Sequence, residues 1–331
     1  MEQDWVNQKT GVINHYNPKQ DLGDQPVRTL HKILKWMFYT SSEEISKEIY
    51  DLIVGGGIQV EIEIEVGNEA IFQPGKSLTP FVDSTKQLKI HETFLSYVWC
   101  ISYSLYILYN EEVSYPTINK NVGYEKYKQS PDEIRKAYEV LSYGISIINK
   151  FVEWDKDKLP NPEIYMADNR DYVEQSNIIF TEAMKWILAH EYTHIRDHID
   201  QFKNGTVTNS HIFDFEREAD EEATKIILKG TKNRSHRMLA EGGIVVALLC
   251  LFYFKKETTA RVHPHNEDRL TAALEIIGAD EDSYIWGLAC TGLQLWSETY
   301  SLGINFKKDV SNFKELYYDV VQQIKKTQNT V

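Results

Sequence analysis

His190 and His194 stand four residues apart in Ala189-His190-Glu191-Tyr192-Thr193-His194, a stretch whose neighbours carry helical spacing. Four residues of an α-helix turn through about 400°, so both imidazoles leave one face a single turn apart. Rings stacked in this way can share one Zn²⁺ through nitrogens at about 2.0–2.1 Å. Glu191 lies about 60° around the helix from His194, within reach of a water at such an ion without ligating it. That is the position a general base must occupy. Upstream, Ile179, Ala183, Trp186 and Ile187 recur at spacings of three and four, so the histidines continue the stripe that faces the core. One helix is expected from about Tyr172 to Asp200.

Such an ion needs a third protein ligand, and a catalytic site leaves the fourth position to water. The segment Phe213 to Asp220 supplies candidates: Glu216 and Asp220 are four apart on one helix face. One can ligate while the other supports a ligand histidine. Glu218 points to another face and is expected in solvent. His198 continues the series of His190 and His194 as a competing ligand, although Glu216 fits the spacing better. No cysteine lies near either motif, which argues against a closed structural zinc site.

H-E-x-x-H at 190–194 followed by E-x-x-x-D at 216–220 resembles the gluzincin metallopeptidases, in particular the HtpX and CAAX-prenyl-protease group and the ImmA/IrrE group. His263-Pro264-His265-Asn266-Glu267-Asp268-Arg269 is similar to the H-P-x-x-x-x-R segment of HtpX-type enzymes. The resemblance implies His190, His194 and Glu216 as ligands, Glu191 as base and Asp220 as support for the ligands. It also implies that His263 assists the substrate oxyanion and that Arg269 orders the site. The motif A-H-E-Y-T-H-I, together with the helix-rich body, looks more like the Lit-type phage-exclusion peptidases. That narrower resemblance implies cleavage of a translation factor when a phage peptide is present. Two departures stand out: HtpX-type enzymes are integral membrane proteins, and Arg196 takes a place that the extended zincin helix usually gives to an apolar residue.

The formal net charge of −13 argues against a general nucleic-acid binder and against an anionic membrane surface as partner. Cys100, Cys250 and Cys290 are an odd number in apolar stretches and are expected reduced in the core. The start Met1-Glu2-Gln3-Asp4 has neither a basic nor an apolar leader region, so the cytoplasm is the expected location. Thr93 to Tyr109 is rich in aromatics but carries serines, and the run from Gly243 to Phe252 is shorter than the roughly 20 residues that cross a bilayer. Both are expected to be buried helices, with no membrane span.

The expected fold class is α+β and predominantly helical, a zincin-like catalytic core with a small antiparallel sheet packed on helices. Residues 1–27 form an arm, 28–130 helices plus a β-hairpin region, and 131–331 the metallopeptidase core, all in one compact unit. Helices are expected from Thr29 to Thr40 and from Ser41 to Val54, the second stopped by Gly55-Gly56-Gly57. Strict alternation from Val60 to Val66 predicts a strand, Gly67-Asn68 a turn into Ala70 to Phe72, and Lys86 to Ile90 a further strand. Residues 111–130 read as a polar loop, and Ser130-Pro131-Asp132-Glu133 caps a helix running to about Trp154. Glu163 to Met166 is a candidate edge strand for an extended peptide. Further helices are expected over 214–229, 234–254, 267–277, 282–300 and 310–326.

The functional expectation is a zinc-dependent endopeptidase that holds one Zn²⁺ and hydrolyses a protein or peptide substrate, with Glu191 as general base. The Lit-type resemblance adds low activity switched on by a peptide or partner. The competing reading is a non-catalytic helical scaffold in which zinc joins two helices.

Overall fold

The computed structural model describes residues 25–42, 45–48, 59–63, 79–82, 87–167, 170–203, 207–258, 263–307 and 312–328. The N-terminal arm up to residue 24, the Gly55-Gly56-Gly57 stop and the hairpin expected around Gly67-Asn68 lie outside these residues. A 3-10 turn, Pro26–Leu30, leads into α1, His31–Tyr39. Of the helix expected over 41–54, residues 45–48 are described and are helical.

Three short strands follow: β1 at Gln59–Glu63, β2 at Phe81–Val82 and β3 at Gln87–His91, in the order β1-β3-β2. β2 pairs antiparallel with β3, but β1 pairs with β3 in parallel, with Val60 opposite Leu88 and Ile62 opposite Ile90. The sheet is therefore mixed, not antiparallel. A parallel partner needs a crossover of about a dozen residues or more, and the long separation between β1 and β3 provides one.

α2, Glu92–Leu108, is the innermost helix: every residue except Tyr106 is buried. A helix apolar on all sides can only be stable when it is surrounded. It packs on α4, Pro131–Ser146, and on α5, Arg170–Thr193. Ser130 caps α4 through a hydrogen bond from the Glu133 amide, as the sequence predicts, although the helix stops at Ser146, short of Trp154.

The first part of the polar stretch after α2 is helical, and only residues 123–130 form the expected loop. The backbone passes through a π turn, Tyr109–Ser114, into α3, Tyr115–Val122, which ends at Gly123 in the left-handed conformation (φ 78°). α3 buries none of its residues, so it carries no apolar stripe by which to recognise it. The edge strand expected at Glu163 to Met166 does not form either. Asn161 Oδ1 accepts hydrogen bonds from the amides of Glu163 (3.1 Å) and Ile164 (2.7 Å), which bends the segment. The Glu163 carboxylate is held by Arg28 and by Lys156, each at 2.6 Å.

Six further α-helices follow among the described residues. They are α6 (Ile199–Lys203), α7 (Asn209–Lys229), α8 (Arg234–Leu249), α9 (Asn266–Ile277), α10 (Tyr284–Thr299) and α11 (Phe313–Gln328). α5 lies against α1, α2, α7 and α8. It approaches α8 so closely that a Cβ on Gly243 would fall 2.4 Å from the Glu182 Cβ. Beside that contact, buried Glu182 and Lys185 pair at 2.8 Å. Arg234–Phe254 is the one stretch among the described residues long and apolar enough to cross a membrane, and 67% of its most apolar window is buried inside the fold. Cys100, Cys250 and Cys290 are all free and buried.

Candidate functional site

Buried Ala183, Met184, Trp186 and Ile187 hold one face of α5 against its neighbours, and that face ends in His190 and His194. α7 crosses it and contributes Glu216 and Asp220. The crossing is fixed one turn away from the site. There Trp186 Nε1 donates to Thr224 Oγ1 at 2.9 Å, and Thr224 Oγ1 donates to the Asp220 carbonyl at 2.7 Å. The second bond lies within α7, but the first is not visible in the sequence, because it depends on how the two helices cross.

Three residues converge, with two ring nitrogens and both oxygens of one carboxylate. His190 Nε2 and His194 Nε2 lie 3.1 Å apart. Glu216 Oε2 lies 3.5 Å from His190 Nε2, and Glu216 Oε1 lies 3.5 Å from His194 Nε2. Ligands placed tetrahedrally around an ion at about 2.0–2.1 Å are separated by about 3.3 Å, so this spacing fits one metal ion. Two imidazoles and one carboxylate also form a donor set suited to a borderline cation. His190, His194 and Glu216 can therefore hold a metal.

The other sequence candidates gather around these three. Asp220 Oδ1 lies 2.9 Å from His190 Nδ1, on the side of the ring away from the shared centre. Arg269, from α9, donates to both Asp220 oxygens at 2.6 and 2.7 Å and lies 3.9 Å from Glu216. His263 brings Nδ1 to 3.2 Å from Glu216 Oε2. Glu191 lines the same cleft as the three donors.

The charges follow from this packing. Burial alone would strip the proton from His190, yet Asp220 and Glu216 on either side hold its pKa up to about 10. Carboxylates that stabilise a proton there also favour a divalent cation there. His194 falls below the ordinary histidine value, mainly through burial. Glu216 and Asp220 are buried, yet both stay far toward the ionised form. His190, His194 and His263 act on Glu216, while Arg269 and His190 act on Asp220. Burial pushes the Glu191 carboxyl up to about 7.

His198 is not part of the triad. The helix expected to run unbroken to Asp200 gives way to a π turn at His194–His198. This wider turn sets His198 Nδ1 at 2.9 Å from His194 Nδ1, behind the triad, and the His198 ring stacks on Phe215 with centroids 4.3 Å apart. Glu218 is exposed, as expected, and also reaches His198 Nε2 at 3.2 Å. Arg196 lies outside the cleft, paired with Asp197 and Glu222.

The donors line a cleft of about 700 Å³. Phe94, Trp186, Leu251 and Phe254 supply apolar wall, and Thr79, Pro80 and Val82, at and just before β2, also line it. This is a helical protein with a His-His-Glu centre, able to hold a metal, in an open cleft. The chain matches Peptidase U49 over residues 88–289, from β3 into α10, which is more than half of its length and includes the whole centre; it belongs to that family. It is therefore a peptidase, a hydrolase. No curated protein and no solved structure matches it.

Proposed function

We propose that the chain is a zinc-dependent endopeptidase with one Zn²⁺ held by His190, His194 and Glu216. The observation that carries this reading is the spacing of 3.1 to 3.5 Å between the two histidine Nε2 atoms and from each of them to a Glu216 oxygen, in a cleft that Glu191 also lines. Zinc bound there would act as a Lewis acid and lower the pKa of a water to about 7.

The rest of the chemistry belongs to the chain. A Glu191 carboxylate oxygen takes the proton of the attacking water and delivers it to the leaving amide nitrogen. Burial in the cleft wall favours the protonated form of Glu191, which suits a group that must hold the proton between the two transfers. His263, whose Nδ1 lies 3.2 Å from Glu216 Oε2, borders the cleft beside the three ligands and is the residue placed to assist the developing oxyanion. Asp220 sets the tautomer of His190, and Arg269 fixes Asp220 with its guanidinium fork. The substrate lies extended along β2, an edge of the sheet that borders the cleft. This is the edge-strand role expected of residues 163–166.

Within this reading the enzyme is cytoplasmic, and, as the Lit-type resemblance implies, an activating peptide or partner raises its activity. The test compares proteome-wide cleavage by wild type and Glu191→Gln, with zinc content measured on both. The variant is expected to keep its zinc and lose at least about a hundredfold in hydrolysis. Full hydrolysis by a zinc-loaded Glu191→Gln protein would sink the mechanism.

A further inference from the structure

The two histidines of the centre are supported differently. His190 has a buried carboxylate, Asp220, directly at its outer nitrogen. His194 has another imidazole there. Its Nδ1 lies 2.9 Å from Nδ1 of His198, a residue only 1% exposed, and His198 Nε2 lies 3.2 Å from the outward-lying Glu218.

Resting on the zinc reading above, we propose that His198, oriented by Glu218, is a positioning residue that holds His194 in its metal-binding tautomer. The protons can be placed in only one consistent way. His194 Nε2 faces the shared centre, 3.1 Å from His190 Nε2, so it must carry a lone pair to ligate. Its proton then sits on Nδ1 and is donated to His198 Nδ1. His198, accepting at Nδ1, carries its own proton on Nε2. Glu218 is the acceptor that matches.

Two features hold this line in place. The π turn His194–His198 keeps both rings on one side of the helix. Phe215 stacks on the His198 ring at an interplanar angle of 15°, which fixes the plane in which its nitrogens lie. A π turn within a helix is common where a side chain must be re-aimed at a functional site. Here it directs an imidazole at the back of a ligand.

The experiment measures zinc affinity on the full chain by competition with a chromophoric chelator, together with the visible d–d absorption of the cobalt-loaded protein and a thermal melt. His198→Leu removes the acceptor and is expected to weaken zinc binding about 10–100-fold and to alter the cobalt spectrum. His198→Asn keeps an acceptor oxygen in the place of Nδ1 and is expected to stay within about threefold of wild type. A purely structural role for His198 would not give this rescue.

A second set acts from the surface. Glu218→Gln keeps an acceptor and is expected to bind zinc nearly as wild type does. Glu218→Lys presents a donor instead, forces the His198 proton onto Nδ1 against the His194 N–H, and is expected to weaken zinc at least about tenfold. Glu221→Lys makes the same change of charge on α7, where Glu221 pairs with Lys225 and not with His198, and serves as the electrostatic control. If His198→Leu does not fold, the Glu218 set decides. The inference fails if His198→Leu keeps wild-type affinity and spectrum, if His198→Asn is as impaired as a folded His198→Leu, or if Glu218→Lys matches Glu221→Lys. Wild type that takes up no zinc would overturn the peptidase reading itself, a result distinct from the other three.

Discussion

At the scale of single residues the centre is a string of ionic contacts from Arg269 through Asp220 to His190. Arg269 matters for the shape of its head as well as its charge, because both Asp220 oxygens are bound at once. Arg269→Lys is expected to weaken zinc about tenfold with a small change in melting temperature. Arg269→Met, which leaves Asp220 buried without that partner, is expected to cost about 3–5 kcal/mol in denaturant unfolding. His190, His194, Glu216 and Asp220 were legible in the sequence because a spacing of four fixes a shared face on any helix. Arg269 and His263 stood out only through the resemblance of residues 263–269 to an H-P-x-x-x-x-R segment. The contact of His198 with Glu218 was not legible, since it needs both a π turn and a helix crossing, and neither has a spacing signature.

At the scale of elements the centre depends on how α5 is seated. Its tightest contact is Gly243 on α8, where an added Cβ would meet the Glu182 Cβ at 2.4 Å and the Glu182 carbonyl carbon at 2.7 Å. Backbone cannot yield as a flexible side chain does, so Gly243→Ala is expected to lose about 1–3 kcal/mol of stability. Because α5 also carries His190, the same variant should bind zinc more weakly, which titration of purified protein would show. An unaltered melt and an unaltered zinc affinity would mean that the two helices can part without consequence. The long helices were readable in outline because their apolar faces repeat. α3 was not, since it buries nothing, and neither was the parallel pairing of β1 with β3, since alternation specifies a face and not a direction. The turn at Asn161 overrode a plausible strand by giving two backbone amides a side-chain acceptor.

At the scale of the whole molecule, Glu163 ties the first described turn of the chain to the segment that precedes α5. Burial would raise its pKa, but Arg28 and Lys156 outweigh that and hold it below the usual carboxylate value. A carboxyl with a lowered native pKa stabilises the fold above its unfolded pKa, and that stabilisation disappears as the pH falls through the native value. Glu163→Gln is therefore expected to lose about 1–2 kcal/mol at pH 7, a deficit that shrinks as the pH falls below the ordinary carboxylate range, as urea unfolding across that range would show. A deficit that does not shrink with pH would assign the effect to shape rather than charge. The helix at Arg234–Phe254 has a consequence of another kind. In the folded chain its apolar surface is covered by α5, α9 and α10. Taken out of the fold, the same stretch has the length and apolar character of a membrane span, so it depends on its neighbours for cover. A looser seam between α5 and α8 thus lays bare the kind of patch through which destabilised chains aggregate.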